Sequence, residues 1–180
     1  MISKLKKNDF QVIGVITFII LSYFFVPSLS VAYFDFNSAH GLIASFIKFA
    51  ILATFGESLA LRISRGIYYE KGFGILSRAL VWGVLGVIIK LVFILFATGM
   101  PQVIAYFDHS TPVLSGSGIL KQIAVAFSIS LALNVIFSPW LFIIHSITNE
   151  HIRRCDGNFK TFFSSIQCHD IIVNLNWAVI

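Results

Sequence analysis

Residues 76–98 read LSRALVWGVLGVIIKLVFILFAT, an apolar run whose only charges are Arg78 near its start and Lys90 past its middle. A helix rises 1.5 Å per residue, so a run of this length covers the roughly 30 Å hydrocarbon core of a bilayer, which takes about 20 apolar residues. Three further runs pass the same test, at 11–33, 41–63 and 119–148. The stretch from 171 to 180 is apolar again and too short to cross, and it reads as the opening of a fifth hydrophobic segment inside which the sequence stops. The fold class expected is therefore an all-α, polytopic transmembrane bundle. It forms a single membrane domain over 1–180 with four full spans and a tail at 149–180.

Composition supports this and excludes the commoner alternatives. The chain is 57% hydrophobic and only 12% charged, where soluble domains carry about a quarter charged residues. The net charge of +5 does not imply nucleic acid, because the basic residues sit in short clusters flanking apolar runs. The partners expected are the lipid bilayer and a second copy of the chain, with no nucleic acid and no cofactor.

Charge asymmetry orients the spans. Lys4, Lys6, Lys7, Arg62, Arg65, Lys71, Arg78, Arg153, Arg154 and Lys160 fall on one side, while the opposite side carries Asp35, Asp108 and, of the basic residues, Lys121. The positive-inside rule places both ends of this segment in the cytoplasm, with a bacterial inner membrane favoured. The first span invites a second reading, since Ser28-Leu29-Ser30 after a basic start resembles a signal-peptide cleavage site. Its apolar run exceeds the roughly 7–15 residues of a signal core and more membrane follows, so an uncleaved anchor is expected. Cys155 and Cys168 lie beyond the last span and lack the His or Cys partners of a zinc site, so both are expected as reduced thiols.

Helical periodicity sorts the polar residues within the spans. Ala50, Ala53, Glu57 and Ala60 share one face of the second span, and Lys48 lies opposite with Leu52, Phe55 and Leu59. Ala79, Gly83, Gly86 and Lys90 form one stripe of the third. Small residues mark faces where membrane helices approach closely, so Ala53, Ala60, Ala79, Gly83 and Gly86 are expected at helix contacts. Glu57 and Lys90 then point into the bundle, while Lys48 faces lipid and snorkels. The expected lean of side chains tilts Glu57 outward and Lys90 inward across about 12 Å of depth, a gap suited to a water bridge, with Arg78 competing for Glu57. The fourth span adds Ser130, Asn134, Ser138 and His145 in a broad stripe kinked at Pro139. His145 reads as an interfacial or hydrogen-bonded histidine rather than a ligand. The candidate interior site is Glu57, Arg78, Lys90, Asn134 and Ser138. A buried charge in a membrane span costs about 2.5–3.5 kcal/mol on insertion scales, which makes such residues functional candidates by default.

Gly56-Glu57 in a small-residue helix, a basic loop, then Arg78 with Gly86 eight residues on, resembles the Mpv-seventeen and peroxisomal membrane protein family over about 48–149. These are small multi-span proteins of mitochondria and peroxisomes, with bacterial relatives. The resemblance implies that Glu57 stands where the family has an acid, usually Asp, and that Arg78 and Gly86 match directly. Val92 lies near the point where that family has a proline, and the family's Trp-Pro signature is absent from the chain. The activity implied is a weakly selective channel or a role in membrane homeostasis.

No Walker loop, dinucleotide fingerprint, zinc-protease motif or nucleophile elbow is present. Gly116-Ser117-Gly118 is too short to cradle phosphate, and Asp108-His109 lacks a third group. The chain is therefore read as a non-enzyme. A small channel or transporter-like protein is expected first, and a structural or assembly protein whose charges fix helix register second.

Overall fold

The computed structural model describes residues 6–107 and 118–163. Lys4, Asp108-His109, Gly116-Ser117, Cys168 and the 171–180 stretch lie outside these residues. Among the described residues seven α-helices follow one another: α1 (Lys7–Phe25), α2 (Pro27–Ala39), α3 (Gly41–Arg65), α4 (Ile75–Phe107), α5 (Ile119–Ala132), α6 (Ser138–Arg154) and the short α7 (Phe159–Phe162). A π-helical turn at Leu133–Phe137 joins α5 to α6. Four stretches among the described residues are long and apolar enough to cross a membrane: Lys7–Phe25, Gly41–Arg65, Ile75–Phe107 and Ile119–Arg154. The protein is an all-α bundle and a membrane protein.

The spans differ from expectation where prolines act. The first does not run on from 11 to 33. Val26 leaves the helical region at φ −114° and ψ 90°, and Pro27 opens α2. Proline lacks an N–H and its ring disfavours helical geometry in the preceding residue, so the break falls at Val26. Pro101, by contrast, is carried inside α4, which continues nine residues past the expected end at 98. Pro139 sits in the first turn of α6, where the missing N–H matters least. Just before it the chain widens into the π turn. The N–H of Ser138 donates to the Leu133 carbonyl, and the Ser138 hydroxyl donates to the same oxygen at 3.2 Å. The kink expected at this proline is thus absorbed by i→i−5 pairing and a serine.

The α3–α4 hairpin is the tightest contact. Gly83 and Gly86 of α4 are buried beneath Phe46 and Phe49 of α3. A Cβ added to Gly83 would sit 2.5 Å from the Phe46 ring, and one on Gly86 would sit 2.5 Å from Phe49 Cβ. The glycines therefore act as sockets for aromatic knobs, the packing that small residues permit between membrane helices. Ala53 and Ala79 are half-buried, whereas Ala60 is exposed, so the small-residue face of α3 does not make contact along its whole length. Val81, Leu85, Ile152 and Phe162 form a buried cluster of α4, α6 and α7 with Leu80, Trp82, Ile88 and Leu141 against it.

That cluster lies at the end where the basic residues gather. Here Lys6 Nζ donates to the carbonyl of Gly66 at 2.9 Å, and the 66–74 loop interlocks with the turn after α6. Gly74 (φ 68°) and Gly157 (φ 68°) meet backbone to backbone: a Cβ on Gly157 would fall 2.6 Å from Gly74 N and 2.7 Å from Gly72 O. Both the left-handed conformation and the close approach require glycine. Away from this end the helices splay. Phe18 is 71% exposed and Phe127 65%, faces that in a bilayer meet lipid chains.

Candidate functional site

Glu57 is the centre of the site. It lies two turns before the end of α3, and its carboxylate receives three donors from two other helices. Arg78 pairs with Oε2. Trp82 Nε1 donates to Oε1 at 2.5 Å, and His145 Nε2 stands 3.0 Å from the same oxygen. An ionised carboxylate only accepts, so Nε2 of His145 carries the hydrogen. The local chain explains the convergence. Arg78 and Trp82 are four apart on α4 and share one face, and His145 from α6 stacks against the indole with ring centroids 4.5 Å apart. Arg78 is held in turn by the Phe73 carbonyl, 2.6 Å from its Nε, and by the Phe73 ring, 4.5 Å from its guanidinium carbon. Val81, Thr148, Asn149 and Ile152 complete the wall of the site, and the side chains of Glu57 and Arg78 remain 20% and 13% exposed.

The residues expected at one site are divided among three places. Glu57 and Arg78 meet. Lys90 does not join them: its Cε lies 3.9 Å from the position of a Cβ on Gly41, the first residue of α3. Gly41 and Glu57 are separated by about 24 Å of helix rise. Lys90 does not lean inward toward Glu57; its flexible stem runs toward the start of α3, as lysines in spans do. Asn134 is exposed on the splayed half of the fourth span, and its amide donates to the Ser130 carbonyl at 2.8 Å. Ser138 is occupied by the π turn. Both behave as backbone-bonding residues within their own helix.

Lys48 also departs from its expected place on the lipid face. It is half-buried, donates to Asn37 Oδ1 at 2.8 Å and lies 5.8 Å from the Tyr33 ring centroid. With Lys90 it lines a groove of about 580 Å³ between the first half of α3 and the middle of α4, farther from the basic end than Glu57. The turn at His40 lays α2 back on α3, so Lys48 is covered by Asn37 and Tyr33, while Leu52 on the same face stays exposed.

A second buried ion pair went unread in the sequence. Asp9 of α1 and Arg62 of α3 are each about 5% exposed. Arg62 Nε donates to Oδ1 at 2.7 Å and its terminal nitrogen to Oδ2 at 2.5 Å. Tyr68 donates its hydroxyl at 2.8 Å and the Lys6 N–H at 2.6 Å, so this carboxylate is fully satisfied. Burial, then the neighbouring Asp9, pushes the Tyr68 phenol above its ordinary value. The sequence signal was a lone acid inside a basic N-terminal cluster at the end of a span. Trp82 was legible only as the i+4 neighbour of Arg78. His145 is hydrogen-bonded, as expected. Cys155 is a free thiol, and no group of three His, Cys, Asp or Glu suited to a metal exists among the described residues.

No protein-family model, no curated protein and no solved structure matches this chain. The geometry of the class stands by itself: an α-helical multi-span membrane protein with a carboxylate-centred polar cluster inside its helix packing.

Proposed function

We propose that the chain is a small channel or transporter-like protein of a bacterial inner membrane, with its basic end cytoplasmic, and not an enzyme. The observation that carries this reading is the sequence of two polar zones along one helix hairpin. A roomy groove bears Lys48 and Lys90, and a closed cluster of Glu57, Arg78, Trp82 and His145 lies nearer the basic end. In this reading the groove is a vestibule and the cluster a gate. A solute passes only when Arg78 is drawn from Glu57, so charge at the gate governs selectivity. The resemblance to the Mpv-seventeen family is part of the proposal and points the same way.

Efflux from liposomes holding the purified full-length protein tests it. Efflux of small ions or solutes above that of empty liposomes, altered severalfold by Glu57→Gln, is the expected result. No efflux from either protein overturns it.

A second reading is favoured by one observation, the three donors from α4 and α6 that fix the Glu57 carboxylate. On that reading Glu57 fixes the register of α3, α4 and α6, and the protein serves structure or assembly. Absent efflux together with a large loss of stability in Glu57→Gln is its signature.

A further inference from the structure

We infer that the groove between α2, α3 and α4 is a binding site for one anionic phospholipid, with its phosphate held by Lys48 and Lys90 and its acyl chain laid over Phe49, Leu52 and Phe93. Three observations meet there. The groove encloses about 580 Å³, within the range of specific ligand sites. It holds two ammonium groups, and among the described residues no carboxylate pairs with either. Lys48 has only the neutral Asn37 oxygen, and Lys90 reaches the first turn of α3, whose N-cap His40 provides no side-chain cap. The partial positive charge of that helix end adds to the two lysines, and like charges in a low-dielectric groove are costly until an anion joins them.

The wall argues for a lipid over a free anion. Leu52 and Phe93 line the groove and are also exposed on the bundle's outer surface, 65% and 48%. The apolar floor thus runs without interruption into the lipid-facing surface. A molecule already in the bilayer can place its phosphate between the lysines without leaving the hydrocarbon with its chains. A soluble anion would leave Phe49, Leu52 and Phe93 unused. The site does not depend on solute passing the Glu57 cluster, so its failure and that of the transport reading are separable.

The test is native mass spectrometry of delipidated full-length protein titrated with phosphatidylglycerol or phosphatidylcholine. The wild type is expected to retain one phosphatidylglycerol preferentially. Lys48→Gln/Lys90→Gln should lower that preference roughly thirtyfold, since each lysine near anionic lipid contributes about a fivefold preference. Lys121→Gln, an exposed lysine on α5, should leave it unchanged. Equal retention of the two lipids by the wild type overturns the proposal even if the double variant does not fold. Unchanged preference in a folded double variant also overturns it. Displacement of the bound lipid by millimolar inorganic phosphate overturns the lipid assignment and makes the groove a site for free anions.

Discussion

The two ends of the α3–α4 hairpin treat charge in opposite ways. Toward the basic end each buried carboxylate is met by a guanidinium and by neutral donors: Asp9 by Arg62 and Tyr68, Glu57 by Arg78, Trp82 and His145. At the far end Lys48 and Lys90 share a groove with an amide and a hydroxyl, and no acid is among the residues that line it. The first arrangement holds helices together. The second leaves positive charge to be answered from outside the chain. In a membrane protein the difference separates charges that stabilise the fold from charges that await a ligand.

The comparison can be broken by removing charge at each end. Glu57→Ala leaves Arg78 without its acid in a half-buried site, and chemical denaturation in detergent should show a loss of about 3 kcal/mol, the lower end for breaking a buried pair. Removing both, as Glu57→Gln/Arg78→Gln, should cost less than the sum of the single changes, because the pair is coupled. Additive losses would mean that Trp82 and His145, not Arg78, hold the carboxylate.

Gly157→Ala comes next. It places a Cβ 2.6 Å from Gly74 N at a left-handed position, for a loss of roughly 2–3 kcal/mol by the same denaturation. A smaller loss would show that the interlock at the basic end yields easily.

Smaller still, neutralising Lys48 or Lys90 in lipid-free detergent should change stability by about 0.5 kcal/mol or less and in the stabilising direction, since it relieves repulsion without breaking an ion pair. A marked destabilisation would mean that an acid on that side, such as Asp35 of α2, answers the lysines.

Tyr68 gives a pH test of the basic end. Its folded-state value lies above the ordinary 10.0, so the folded protein keeps a proton that the unfolded chain gives up. Stability is then flat with pH below about 10 and falls as pH rises beyond it. Thermal melts of Tyr68→Phe should lack that part of the fall. Asn134→Ala should be nearly silent, within about 0.5 kcal/mol, because its side chain bonds the Ser130 carbonyl and hydroxyl one turn back on an exposed face. A larger effect would mean that a second copy covers this face.

Spans, caps and contacts were not equally legible. The four apolar runs were visible because hydrocarbon thickness imposes a length that few sequences reach by chance. Gly83 and Gly86 were visible as well, since a small-residue stripe has few uses in a span other than close packing. Arg78 beside Glu57 was visible as a competitor for the acid. The lysines were misplaced because a helical wheel assigns faces as though each helix stood alone. Once the turn at His40 lays α2 on α3, Lys48 itself is no longer free. Asp9 was overlooked because its partner Arg62 lies 53 positions away, and no local period links them.

The sequence by itself determined the solvent this protein lives in, the number of its candidate spans and which faces carry small residues. These depend on composition and on the 3.6-residue period, both local quantities. Only the tertiary structure decided which charge answers which. That depends on where breaks and turns bring distant helices together: the break at Val26, the π turn before Pro139 and the glycine interlock at Gly74 and Gly157. Ion pairs act over a few ångströms, and the pairing that separates a closed cluster from an open groove is fixed by those junctions.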